Sequence, residues 1–189
     1  MPEHERDDLA AVAQSCLDAL TRAAHDKKSP LRWPVLISAG VNEGAEGRVV
    51  VLRGFDRTRR RVEIWTDRRS GKVMELRSDP FVSLLFFERA KMIQMRAKGR
   101  AEIVTDGEGW EKAFERANHA SLDDYTTTSA PGDALNEADI SRQISLAQET
   151  FTQILIEIDR IDWLHLSRDG HRRAFLDWRP DSDHSWRIP

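Results

Sequence analysis

The sequence predicts a mainly β fold, a closed or nearly closed β-barrel with flanking helices, on three observations. About seven short runs are rich in Val, Ile and aromatic residues, the composition of half-buried strands. Turn-forming clusters such as NEGAEG, GFDRT and ERAK separate neighbouring runs closely, which makes an antiparallel meander. Helical periodicity is confined to a few stretches, so the strand-helix alternation of a parallel sheet is missing.

From Asp7 to Ala24 the apolar positions Leu9, Val12, Cys16, Leu17, Leu20 and Ala24 recur at steps of three and four, one face of an amphipathic helix. The polar stretch HDKKSP ends it. Residues 1–29 are therefore expected as an N-terminal helix and residues 30–189 as the barrel with helical insertions, one domain overall. Strands are expected over Pro34 to Val41, Arg48 to Gly54, Arg61 to Asp67, Phe81 to Glu88 and Met92 to Thr105. Ser70 N-caps a short helix to Arg77, which Ser78-Asp79-Pro80 stops. A second helix follows from Glu108 to Ala120, then a long polar loop over residues 121 to 138 and a helical turn or two from Asp139 to Gln148. Strands return over Phe151 to Leu166, Arg172 to Trp178 and Ser185 to Ile188.

Composition excludes several classes. Of 189 residues, 40% are hydrophobic, enough to bury a core and exclude disorder as the main state. No apolar run approaches the roughly 20 residues of a membrane span, and the opening MPEHERDDLA does not read as a secretion signal, so cytoplasmic residence is expected. The single cysteine, Cys16, can form neither an intramolecular disulfide nor a Cys-based zinc site. No Gly-rich phosphate loop, HExxH, CxxC or GxSxG is present. His4, His25, His119, His165, His171 and His184 are scattered, and no metal is expected; Asp123-Asp124 reads as solvated loop.

Charge is unevenly placed. Residues 48 to 100 hold 15 Lys+Arg and 6 Asp+Glu, a local +9, against −12 for the remainder. Such a stretch suits a bound phosphate group, while Arg57, Arg59, Arg60 and Arg61 read as a solvated turn. Nucleic acid is disfavoured because Trp65, Phe81, Phe86 and Phe87 sit in core-like patterns, not as stacking platforms. In a strand, Arg48, Val50 and Leu52 share one face while Val49, Val51 and Arg53 share the other, giving each face one cation beside apolar residues. Trp65-Thr66 ends the next strand, and Ser70 and Lys72 open the short helix, where hydroxyl, ammonium and backbone N–H groups make a phosphate site without a Gly-rich loop. Gln94, polar among apolar neighbours, offers an amide to a heterocycle edge.

RVVVLRGFD, EIWTDRRSGK with the following EL and DP, VSLLFF and IQMRAKGRAEIV resemble, in order and spacing, the flavin mononucleotide (FMN)-binding split barrels related to pyridoxamine 5'-phosphate oxidase. The resemblance covers residues 30 to 110, with a fainter match through WRIP. It implies an FMN-binding split barrel of six strands, a homodimer, and FMN in grooves at the subunit interface. Arg48 would pair with the flavin phosphate, and the backbone of Val49, Val50, Val51 and Leu52 would run beside the isoalloxazine. Arg53 stands where the oxidase has a lysine near flavin and substrate. Trp65 and Thr66 match an aromatic-Thr pair, Ser70 and Lys72 the phosphate segment, and Gln94 the ring-contacting glutamine. Gly71 replaces an arginine, so one phosphate contact is missing or comes from Arg69. Near the C-terminus, Trp163 is one position off, and either Arg172 or Arg173 would meet the flavin, with Arg173 the choice for the site.

The implied activity is an FMN-dependent oxidoreductase passing a hydride from an unidentified small substrate to flavin N5, with no catalytic residue assigned. Pyridoxamine phosphate itself fits poorly: WEKAFERANHAS retains Arg116 and Ser121 but lacks the oxidase's tyrosine. The alternatives are a non-catalytic flavin carrier or sensor, the oxidase proper, or a colourless anion-binding barrel. A small-molecule substrate is expected, with neither nucleic acid nor membrane as partner.

Overall fold

The computed structural model describes residues 8–41, 44–117, 125–134 and 146–189. Helix α1 (Leu9–His25) starts where the Asp8 side chain accepts from Ala10 N at 2.8 Å. Its buried stripe of Ala13, Cys16, Leu20, Ala23 and Ala24 joins the main core; Cys16, Leu20 and Ala24 are of the expected face, Leu9 and Val12 are partly buried against it, and Ala13 and Ala23 take the place expected of Leu17.

Among the described residues nine strands follow: β1 (Val35–Ala39), β2 (Ala45–Val49), β3 (Gly54–Asp56), β4 (Arg61–Asp67), β5 (Phe81–Glu88), β6 (Ile93–Val104), β7 (Phe151–His165), β8 (Arg172–Asp177) and β9 (Ser185–Arg187). All pair antiparallel, in the order β2-β1-β5-β6-β7-β4-β3, with β8 and β9 extending from the second half of β7. The single strand expected from Arg48 to Gly54 is divided in two. Residues 45–49 pair with β1, residues 54–56 pair with β4, and between them Val50 N donates to Pro34 O, Leu52 N to Arg32 O and Arg53 N to Glu63 O. One bent segment thus joins both ends of the sheet, and that junction closes the barrel.

The cross-strand row Arg48, Leu36, Leu84, Ala97, Ile161 and Leu176 shows which face is inside: every member after Arg48 is buried. A bulge between Lys98 and Gly99 lets β7 bend from its β4 partner to its β8 partner. Helix α2 (Gly71–Ser78) follows β4, and α3 (Glu108–Arg116) follows β6. A short α4 (Leu146–Thr150) leads into β7. The helix expected to reach Ala120 ends at Arg116, where Ala117 N caps onto Ala113 and Phe114 carbonyls. Of the expected loop, residues 125–134 are described, and the expected turns from Asp139 are described only from Leu146. His4, His119, Ser121, Asp123 and Asp124 lie outside the described residues.

A second, smaller core forms on the outer face, where Trp110, Tyr125 and Phe151 gather with Trp65 and Phe114. Among the described residues, no helix is long and apolar enough to cross a membrane, and no group of three His, Cys, Asp or Glu side chains is placed to hold a metal ion.

Candidate functional site

Arg48 projects from the last turn of the β2 pleat onto the inner face, at the barrel's edge. Its Nη2 donates to Glu75 Oε1 and Oε2 at 3.0 and 2.9 Å, and its Nη1 bonds Ser38 Oγ. Ser38 Oγ in turn donates to Glu75 Oε2 at 2.5 Å. Glu75 comes from α2, whose first turn also presents Lys72. Lys72 Nζ donates to Thr66 Oγ1 at 3.0 Å, and Thr66 Oγ1 lies 3.3 Å from Ser70 Oγ. Ser70 occupies the N-cap position, but its hydroxyl donates to the Asp67 carbonyl at 2.7 Å instead of capping α2. Burial pushes the Lys72 ammonium below its usual range, and the charge of Arg48 pushes further, against the pull of Glu75 and Asp67. Two cations that repel each other, two hydroxyls and a helix N-terminus therefore converge on one spot. Chemically, that arrangement is suited to a phosphate.

The opposite face of the same segment carries Val49, which is exposed, then Val51 and Arg53; the side chains of Val50 and Leu52 are in the core. The Arg53 guanidinium lies over the Trp65 ring at 4.8 Å, and that of Arg116 at 5.7 Å. Glu63 organises this group. Its Oε1 accepts from Trp65 Nε1 at 2.6 Å, from Arg116 Nη2 at 2.8 Å and from Gln153 Nε2 at 2.8 Å.

Gln94 lies elsewhere, on the outer face of β6. Register puts Gln94 opposite Leu164 and Leu164 opposite Arg173, so the two residues share one row, their backbones about 10 Å apart across three strands. In the adjacent row Asp162 accepts from Arg173 Nε and Nη2 at 2.9 and 2.7 Å and also bonds Arg96. Burial disfavours charge on Asp162, yet the hydrogen bonds from Arg173 and Arg96 hold its carboxyl below the usual range.

The sequence-derived residues thus fall into three groups: Arg48, Thr66, Ser70 and Lys72; then Val49, Val51, Arg53 and Trp65; then Gln94 and Arg173. Arg172 and Trp163 face the other way from Gln94. Arg69 is bonded to Asp67 and to the carbonyls of Thr127 and Thr128. Ser38, Glu63, Glu75 and Asp162 were not anticipated. Glu75 had a signal, being three residues after Lys72 and so on the same face of α2; Ser38 had none.

Residues 15–105 match the family model described as pyridoxamine 5'-phosphate oxidase, FMN-binding domain. Arg48, Trp65, Lys72 and Gln94 fall inside that match and Arg173 beyond it. Pyridoxine/pyridoxamine 5'-phosphate oxidase 2 of Arabidopsis thaliana is 29% identical over 143 residues, spanning 69% of this chain and 72% of the relative. A pyridoxamine 5'-phosphate oxidase-related FMN-binding protein from Nostoc punctiforme PCC 73102 has the same fold, with a TM-score of 0.73 at 16% identity over 96% of this chain and 98% of its own. So does PhzG from Burkholderia lata 383, solved in complex with tetrahydrophenazine-1-carboxylic acid, with a TM-score of 0.74 at 16% identity over 100% and 97%.

Proposed function

We propose that this chain, which is similar to the FMN-binding split barrels related to pyridoxamine 5'-phosphate oxidase, is an FMN-dependent oxidoreductase acting on a small substrate. The observation that carries the reading is the convergence of Arg48 and Lys72. Their mutual repulsion, partly offset by Glu75, leaves a site that gains from an added dianion, which fits the phosphate end of FMN. When bound, FMN supplies a hydride acceptor at N5 that a second acceptor such as oxygen restores.

The chain's own residues bind and orient. Lys72, Thr66, Ser70 and Arg48 would hold the phosphate, and the backbone from Val49 to Arg53 would run beside the ring. Gln94 and Arg173 stand on another face of the barrel, so they complete the site from a second copy of the chain, the amide meeting the ring edge and the guanidinium stabilising negative charge there. Arg53 and Arg116, held over Trp65, face the substrate side. Arg116 is paired with Glu63, and the segment it belongs to lacks the tyrosine that the oxidase offers to a substrate phosphate. A molecule less charged than pyridoxamine phosphate is therefore the substrate expected here.

The test is the absorption spectrum of the purified protein, followed by anaerobic reduction with amines, pyridoxamine phosphate and reduced nicotinamides. Flavin bands that one of these bleaches and air restores are expected. A protein that is colourless and takes up no FMN overturns the proposal. Bound flavin that no donor reduces favours a carrier or sensor instead.

A further inference from the structure

Arg172 and the space beneath α1 take no part in the flavin reading. Register places Ile93, His165 and Arg172 in one cross-strand row and Met95, Trp163, Ala174 and Trp186 in the next. Both rows face α1, on the side of the sheet opposite Gln94 and Arg173. Between them and Ala11, Val12 and Ser15 of α1 lies a cavity of about 490 Å³, within the range of sites that enclose small ligands.

Its walls are of two kinds. Val12, Ile93 and the Trp163 indole are apolar. At the other end the cavity is lined by Arg172, whose guanidinium carbon lies 4.6 Å from the Trp186 ring centre. His171 Nδ1 accepts from Ser167 N at 3.2 Å, so the neutral ring carries its proton on Nε2 as a second donor. The acidic residue of the lining, Asp169, is exposed in the rim turn. Arg172 and His171 give this end of the cavity two donors, and an anionic acceptor there gains charge-assisted hydrogen bonds.

We propose that this cavity is a second ligand site, for a planar aromatic carboxylate whose ring lies against Trp163 and Ile93 and whose carboxylate meets Arg172 and His171. The inference does not depend on the flavin reading, because none of Arg48, Lys72, Gln94 and Arg173 lines this cavity.

Calorimetry on protein saturated with FMN tests it, with naphthoate as the probe and uncharged naphthylmethanol as its control. Naphthoate is expected to bind at least about tenfold more tightly than the alcohol. Arg172→Met should remove that preference, leaving the two alike. Ser15→Trp, at an exposed helix position, should fill the cavity and abolish binding of both while the flavin spectrum stays unchanged. The proposal is overturned if naphthoate fails to bind at millimolar concentration. It is equally overturned if binding survives Ser15→Trp, or if Arg172→Met leaves the preference for the carboxylate intact.

Discussion

Arg172 and Arg173 are sequence neighbours on opposite faces of the β7–β8 ladder: Arg173 is bonded to Asp162 at 2.9 and 2.7 Å, and Arg172 lies over Trp186 at 4.6 Å. Strand alternation makes the choice between them discrete, since only one of two consecutive residues can share a face with Gln94. Arg173→Ala is expected to weaken FMN binding and lower the flavin's midpoint potential, by removing a cation that favours the reduced ring. Arg172→Ala should leave both unchanged. A spectroelectrochemical titration of the two variants decides; equal effects would place both guanidiniums wrongly.

Lys72 carries a pH signature. Its ammonium binds phosphate and its amine does not, and in the free protein burial and Arg48 lower its pKa from 10.5. FMN affinity is therefore full while Lys72 is protonated and is lost as pH rises through the depressed value; bound phosphate opposes that loss by raising the pKa again. Lys72→Ala should cost about 1.5–3 kcal/mol of FMN binding while riboflavin binds both proteins alike. Lys72→Arg should keep FMN affinity into more alkaline solution. Fluorescence titrations with FMN and riboflavin across pH provide the measurement.

The barrel and much of this site were legible because residue type and alternation are local properties. Arg48 and Lys72 drew attention as cations beside apolar strand residues and at a helix start, and the structure places them together. What was not legible depends on pairing. Nothing local in RVVVLRG marks Val50 as the point where a strand leaves β1 for β4, because that change follows from closing the sheet. The alternation of β7 was visible, but whether Trp163 or Leu164 faces inward is fixed by its partners Met95 and Gln94. Glu75 looked like an ordinary helix charge until Arg48, 27 residues away, proved to be its partner.

The Arg48–Glu75 pair complicates any reading of an Arg48 variant. Both side chains are largely shielded, at 22% and 11% exposure, and removing one leaves the other uncompensated. Arg48→Ala should destabilise the fold by about 3 kcal/mol, and Arg48→Ala with Glu75→Gln by much less. Urea denaturation of the single and double variants tests this. A double variant no more stable than the single one would show that the pair is not the source of the loss.

Gly99 sits at the β6–β7 bulge, where a Cβ would stand 2.0 Å from the Glu157 carbonyl oxygen and 2.8 Å from its carbon. Those atoms are backbone and cannot rotate aside, so Gly99→Ala must part β6, which carries Gln94, from β7. A loss of about 3 kcal/mol or more is expected. Gly47→Ala, whose Cβ would meet only Val35 Cγ1 at 3.7 Å, is the control and should unfold like the parent. Thermal denaturation of the two side by side reads the difference.

A homodimer is the prediction that the division of the candidate site between faces makes. Arg48 and Lys72 belong to the inner edge by β2 and α2, whereas Gln94 and Arg173 belong to the outer face of β6 and β8. Beside Gln94 on that outer face stands Phe87, its partner in the β5–β6 ladder, with 44% of its surface exposed. An exposed aromatic flanked by a ligand-facing amide is the composition of an interface centre, where burying it against a second copy gains apolar contact. Phe87→Arg would place a solvated cation there and should convert a dimer into a monomer. Its barrel should persist, because the side chain is not part of the core. FMN affinity should fall with dimerisation, since a lone chain offers only the phosphate end of the site. Sedimentation of the parent and variant with bound flavin as the second readout tests both halves; a parent that is monomeric at micromolar concentration and fully flavin-loaded would show that one chain holds the cofactor alone.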